Sequence, residues 1–145
     1  MKCTTRDLPI AMKSKDSWGA TTVASTAYLA NHNNIATFVT GGIGGVHRGN
    51  DLDISADLIE LSRTPIVVVS AGIKSLLDIP KTLEYLETFG VPIITYGTDY
   101  LLTFFSTQSP KDMIKSPYTV ETPQDVAQYT WLSRNVTPLL CFCFI

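Results

Sequence analysis

Residues Asp53 to Gly97 read DISADLIELSRTPIVVVSAGIKSLLDIPKTLEYLETFGVPIITYG, and this stretch decides the fold. Between Asp53 and Arg63 the apolar residues Ile54, Leu58 and Leu61 recur at spacings of four and three, the period of an amphipathic helix, with Asp53 placed to cap its start. Pro65 to Ser70 follows as a strand, and its unbroken run Ile66 to Val69 predicts coverage on both faces, as in the parallel sheets of α/β proteins. AGIKS then makes a turn. Leu83, Leu86 and Phe89 mark the core side of a second helix that ends at Gly90, and VPIITYG supplies another strand. The repeating unit is βα. Short connections wind such units into right-handed crossovers and a mostly parallel sheet flanked by helices, an α/β/α sandwich.

Upstream, GATTVASTAYLANHNN reads as a helix whose inward residues are Val23, Ala24, Ala27, Tyr28 and Ala30, with Ser17, Thr21 or Thr22 as its cap. Ile35 to Val39 then forms a strand bounded by Asn33-Asn34 and by the glycine-rich TGGIGG. Downstream of Phe105 the pattern weakens through STQSPKDMIKSPY, and TPQDVAQY predicts a short helix with Thr122 as cap and Pro123 at its first position. The terminal PLLCFCFI is apolar, unpatterned and too short to span a bilayer.

A chain of 145 residues is the size of one ordinary domain. With 45% hydrophobic and 17% charged residues it does not have the composition of a disordered chain. The formal charge is -2, and no run of Lys or Arg supplies the basic stripe that nucleic acid requires, so the expected ligand is a small molecule. Cys3, Cys141 and Cys143 are an odd set without a zinc-ligand spacing, which points to a reducing, cytoplasmic setting. The first twenty residues lack the apolar core of a signal peptide, and no stretch approaches a membrane span.

In parallel sheets ligands gather beyond the carboxyl ends of the strands, which here gathers TGGIGGVHRG, SAGIKS and YGTDY at one rim. Gly41, Gly42, Gly44 and Gly45 either let backbone amides approach an anion or make a tight structural turn, and the neighbouring His47 and Arg48 favour the ligand loop. The G-x-G-x-x-G dinucleotide fingerprint is absent. Lys74, just beyond an apolar strand, is either a solvated loop residue or a partly desolvated amine able to attack a carbonyl. Asp51, Asp53 and Asp57 offer oxygens to a hard cation or to sugar hydroxyls, or simply cap a helix; Asp53 and Asp57 lie one turn apart and would share its face. Thr21 and Thr22 sit at a helix start suited to phosphate or to capping, with Lys2 and Arg6 as added positive charge.

Taken in order, KCTTRDL, GATTVAST, TGGIGGVHRG, DISADLIELSRTPIVVVSAGIKSLLDIPKTLEYLETFGVPIITYGTD and TVETPQDVA resemble the pseudouridine-5'-phosphate glycosidase family, also called indigoidine synthase A-like, from about Lys2 to Ala127. The resemblance implies reversible cleavage of the C–C glycosidic bond of pseudouridine 5'-phosphate to uracil and ribose 5-phosphate, by an enzyme grouped with the carbon-oxygen hydro-lyases. It further implies an α/β fold, homotrimers and one manganese ion per subunit. By resemblance Lys74 is the imine-forming nucleophile, and Asp53 binds the metal. Ser55, Ala56 and Asp57 contact substrate, Lys2 and Val23 lie near its phosphate, and His47 belongs to the active-site loop. A C-glycoside has no leaving oxygen to protonate, so paired carboxylates cannot cleave it as they cleave ordinary glycosides; an imine supplies the electron sink instead.

Family members are longer, and their general-acid glutamate lies upstream of KCTTRDL. The expected organisation is therefore a partial glycosidase-like domain over residues 1–128, incomplete relative to the family, followed by a divergent apolar tail over 129–145. Two functional expectations follow from this division. One is the family's enzyme; the other is an inactive fragment that binds sugar phosphate or associates with full-length subunits.

Overall fold

A computed structural model describes residues 1–14, 18–49, 52–104 and 113–136. Ser17, Asp51, Cys141, Cys143 and the apolar stretch after residue 136 lie outside them, as do residues 105–112 of the stretch where the pattern weakens. In chain order the elements are β1 (Lys2–Cys3), a 3-10 turn (Thr5–Asp7), α1 (Leu8–Lys13), β2 (Ala20–Thr21), α2 (Val23–His32), β3 (Thr37–Thr40), β4 (Val46–His47) and α3 (Ala56–Leu61). There follow β5 (Val67–Ser70), β6 (Ile73–Lys74), β7 (Leu77–Asp78), α4 (Ile79–Thr88), β8 (Thr95–Tyr96), β9 (Thr103–Phe104), β10 (Thr119–Val120) and α5 (Pro123–Val136).

The ladders are mostly parallel, as the βα pattern requires. β3 pairs with β5, β1 with β2, β6 with β9 and β8 with β10 in parallel, whereas β4 and β7 run antiparallel. In the β3–β5 ladder Thr37 faces Val67 and Thr40 faces Ser70, and α3 lies in the crossover between these two strands. β5 is covered on both faces. Val68 joins a cluster with Ala27 of α2, Leu58 and Leu61 of α3, and Ile79 and Leu86 of α4, while Val67 joins Ile94 with Val120, Val126 and Tyr129 packed around them. Alternate residues of one strand thus enter two cores, the signature of a sheet between helices.

Several boundaries differ from the sequence pattern for local reasons. α3 begins at Ala56 with Ser55 as its cap, because the Ser55 side chain accepts from the Asp57 amide; Asp53 lies outside the helix and does not share a face with Asp57. The strand over Ile35–Val39 shifts to Thr37–Thr40, since Asn33 and Asn34 extend the turn and Asn34 takes φ 60, a left-handed conformation that asparagine tolerates. Tyr28 faces outward, 42% exposed, and Ser25 takes the buried place, its hydroxyl donating to the Cys3 carbonyl at 2.7 Å. Phe89 is 41% exposed and stacks on Tyr85, while Gly90 closes the helix with φ 68. Of VPIITYG only Thr95–Tyr96 enters a ladder.

Thr22 caps α2 through a bond from the Ser25 amide. Helix α5 runs on to Val136, across the division placed at residue 128. Its first turn carries a reciprocal cap: the Asp125 amide donates to Thr122 Oγ1 at 3.2 Å, and the Thr122 amide and hydroxyl donate to the Asp125 carboxylate at 3.0 and 2.7 Å. These bonds, the Thr122 hydroxyl first, hold the Asp125 carboxyl below its ordinary range. A lowered aspartate stabilises the fold above its unfolded-state pKa, and that contribution is lost as pH falls through the lower folded value. The melting difference between the protein and Asp125→Asn is therefore expected at neutral pH and should vanish on acidification; a difference independent of pH would show that the cap does not act through the charge.

Candidate functional site

The N-terminal segment is tied down from three directions. β1 pairs with β2, the amide and hydroxyl of Thr4 donate to Asp7 Oδ2 at 2.9 and 2.8 Å, and Thr5 Oγ1 donates to the buried Glu60 at 2.8 Å. The Thr4 bonds, backbone amide first, hold the Asp7 carboxyl below its usual range. Thr64 is a second hydroxyl donor to Glu60. Lys2, Thr4 and Arg6 are thereby presented along one wall of a cleft.

That cleft is a cavity of about 900 Å³. Its lining joins Lys2 with Thr21, Thr22 and Val23 at the start of α2, the loop residues Gly41, Gly42, Gly44 and His47, the segment Asp53 to Asp57, and Lys74. Every residue assigned a role by resemblance, namely Lys2, Val23, His47, Asp53, Ser55, Ala56, Asp57 and Lys74, therefore lines one cavity. Among the described residues YGTDY does not reach it; Thr98 instead lines a small separate pocket with Ser70, Gly72 and Leu101.

Asp57 is the centre of the wall. Only 5% exposed, it accepts the Ala24 amide on Oδ1 and the Gly44 amide on Oδ2, both at 2.9 Å. One carboxylate thus joins α3, the beginning of α2 and the glycine loop. This changes the meaning of the glycines. Gly41, Gly42, Gly44 and Gly45 all lie outside the positive-φ set, so conformational freedom is not what they provide. They provide room: a Cβ on Gly41 would sit 2.8 Å from Phe104 Cζ, and one on Gly44 would stand 2.6 Å from Ser55 Cβ and 2.8 Å from Asp57 Oδ2. Gly44→Ala is expected to lower stability by about 1–3 kcal/mol through overpacking against backbone-fixed neighbours, measured by thermal or denaturant unfolding. An unchanged midpoint would show that the Ser55 backbone yields at no cost.

Lys74 lies on β6, fixed by its amide bond to the Ile43 carbonyl at 3.2 Å and by register with Phe104. Of the two settings the sequence allows for Lys74 the structure has the solvated one: β6 ends at the cleft and the side chain is exposed. Its ammonium group has no ion-pair or hydrogen-bond partner among the described residues. His47 Nδ1 stands 3.6 Å from Asp53 Oδ2, and both side chains are about half exposed. Among the described residues no group of three His, Cys, Asp or Glu side chains is placed to hold a metal ion. A hard divalent cation needs only one or two carboxylates when water and ligand oxygens complete its shell, so the open Asp53 carboxylate fits such an ion.

Three contributors escaped the sequence pattern. Thr82, fully buried in α4, accepts the Val46 amide at 3.0 Å and donates to the Asp78 carbonyl at 2.7 Å, steadying the glycine loop from behind. Its signal is a hydroxyl on the apolar face between Ile79 and Leu86. Phe104 forms a floor under Gly41 and Gly42, and Leu77 closes the cleft beside Lys74. Nothing in their local sequence marks these last two, which depend on long-range pairing.

The sequence model of the family described as "Indigoidine synthase A like protein" matches residues 1–140. A protein of Solibacter usitatus named pseudouridine-5'-phosphate glycosidase is 52% identical over 148 aligned positions, covering 99% of this chain and 48% of that protein. The protein of the same name from Deinococcus radiodurans is 54% identical, with 88% and 40% covered. The chain thus spans about half the length of the curated relatives it matches. Among solved structures, an indigoidine synthase A-like protein from Thermotoga maritima superposes with a TM-score of 0.89 at 34% identity, covering 100% of this chain and 48% of that one. The prealnumycin C-glycosynthase AlnA in complex with ribulose 5-phosphate gives 0.87 at 37% identity, covering 98% and 47%. No helix among the described residues is long and apolar enough to cross a membrane.

Proposed function

Because the chain belongs to the indigoidine synthase A-like protein family, we propose that its cleft takes a pentose 5-phosphate and serves the making and breaking of the C–C bond in pseudouridine 5'-phosphate. The observation that carries this reading is the lining of one cavity by an exposed lysine, a carboxylate outside any helix and the N-terminal cation Lys2. Relatives named pseudouridine-5'-phosphate glycosidase and a neighbour holding ribulose 5-phosphate support the ligand class.

In the direction of bond formation, the lone pair of Lys74 Nζ adds to C1 of open-chain ribose 5-phosphate, and the carbonyl oxygen leaves as water. The resulting protonated imine carbon accepts C5 of uracil, C5 then gives up its proton, and closure of the sugar through its C4 hydroxyl expels the Lys74 amine; the reverse sequence cleaves the bond. This is addition and elimination at an imine, in keeping with a lyase-type glycosidase rather than paired-carboxylate hydrolysis. Lys2 balances the phosphate charge, with Thr21 and Thr22 beside it at the start of α2. Ser55 and Asp57 fix the wall against which the sugar lies, and His47 exchanges a proton at the sugar oxygens. A divalent ion, manganese by resemblance, would be held by Asp53 and would supply positive charge to ligand oxygens. Homotrimeric assembly and a cytoplasmic setting belong to the same reading.

Incubation with ribose 5-phosphate and borohydride is expected to add one reduced sugar phosphate to the chain, read by intact mass. Absence of an adduct under conditions that label a full-length relative would overturn the imine. A second reading is binding of sugar phosphate or of full-length subunits without turnover. Uracil release from pseudouridine 5'-phosphate separates the two.

A further inference from the structure

Arg48 follows His47 at the end of β4, and its guanidinium reaches across to the turn that joins β6 to β7. Nε donates to the Leu77 carbonyl at 3.1 Å and Nη2 to the Ser75 carbonyl at 3.2 Å. These two carbonyls flank Leu76, the turn's tip, which is 64% exposed, and Ser75 directly follows Lys74. On the other side of the same turn the Lys74 amide is bonded to Ile43 and the Ser75 amide to the Phe104 carbonyl at 3.3 Å. The lysine's backbone is thus gripped by the glycine loop and β9 on one flank and by Arg48 on the other. A planar guanidinium with its donors in a fixed fork suits this double grip, and neither an ammonium nor a primary amide reproduces it. Arg48 is absent from the described lining of the cavity, and its Nε and Nη2 donors are taken by the turn.

We propose that Arg48 is a positioning residue for Lys74: by holding the Ser75 and Leu77 carbonyls it fixes the turn from which the amine is presented to C1 of the bound sugar. The proposal rests on Lys74 as the imine-forming residue. An exposed lysine has a long flexible stem, and the frequency with which Nζ meets an electrophile depends on how firmly its backbone is aimed. A displacement of about 1 Å is enough to cost on the order of 100-fold in such a step.

The test follows borohydride trapping against ribose 5-phosphate concentration for the protein, Arg48→Gln and Arg48→Lys. The limiting rate should fall by about tenfold or more in Arg48→Gln and recover in part in Arg48→Lys, with the half-saturating concentration changed by less than about twofold. A raised half-saturating concentration at an unchanged limiting rate would make Arg48 a ligand contact and overturn the proposal, as would no change in either. If Arg48→Gln does not fold by circular dichroism, Arg48→Lys alone carries the comparison, with a reduced limiting rate expected and an unchanged one overturning. If the unmodified chain forms no adduct, the imine reading fails. Hydrogen exchange then decides the grip: residues 74–78 should exchange about tenfold faster in the variant while β3 and β5 do not, and equal protection of residues 74–78 would overturn it.

Discussion

Lys74→Ala is expected to abolish the borohydride-trapped adduct, the largest effect available to any single substitution in this chain. Lys2 and Lys74 are the two lysines in the described lining of the cleft, and they differ in setting. Lys2 belongs to β1 beside the start of α2, on the side of the cleft proposed for the phosphate, whereas Lys74 stands at the end of β6 and lines the same cleft as the Asp53–Asp57 segment. Lys2→Ala should therefore raise the ribose 5-phosphate concentration needed for trapping and leave the adduct on Lys74. Lys74→Arg keeps the charge but removes the nucleophile, because a guanidinium does not form imines under these conditions, and it should be as inert as the alanine variant. Peptide mapping reads the outcome. An adduct that survives Lys74→Ala, or that maps to Lys2 in the unmodified protein, would assign the chemistry to another amine.

Asp57→Ala should cause the largest loss of stability. Its removal leaves the Ala24 and Gly44 amides unpaired in a buried setting, and a buried donor without a partner costs about 1–3 kcal/mol. The side chain's packing is lost as well, so a total of about 3–5 kcal/mol is expected, or roughly 10–15 °C in melting temperature for a chain of this size. Asp57→Asn keeps one acceptor oxygen and turns an amide donor toward the other N–H, so an intermediate loss is expected. Unfolding in denaturant with matched slopes measures both. A loss below about 1 kcal/mol for the alanine variant would mean that water replaces the carboxylate and that the three elements are held by their apolar contacts alone.

The sequence exposes what is local and periodic. The run Ile66 to Val69 announced a strand buried on both faces, and Val67 and Val68 do enter different cores. Gly90 is legible, and Thr22 is among three candidate caps, because capping and left-handed helix ends depend on one or two neighbouring residues. Asp53 and Asp57 show the limit. Spacing alone placed both on one helix face, yet Ser55 captures the first turn's amide and leaves Asp53 in the loop, paired through its carbonyl with the His47 amide. The glycines were legible as a loop but not as to cause, since the ring that crowds Gly41 and Gly42, Phe104, lies about sixty residues further on, and Gly44 and Gly45 are crowded by Ser55 and Thr82. The cleft was legible in its residues through family resemblance. Its assembly around the Asp57 carboxylate was not, because a buried acid joining three elements leaves no periodic trace.

The register of the parallel ladders sets a timetable for the nascent chain. Thr37 can find its partner only when Val67 has been made, 30 residues later, and Ile73 waits equally long for Thr103. At translation speeds of about 5–20 residues per second, β3 spends roughly 1.5–6 s without its β5 partner, before counting the length hidden in the ribosomal exit tunnel. Val39, 71% exposed even in the finished fold, belongs to the first of these waiting strands. Yield on expression should consequently depend on how well that interval is shielded by chaperones.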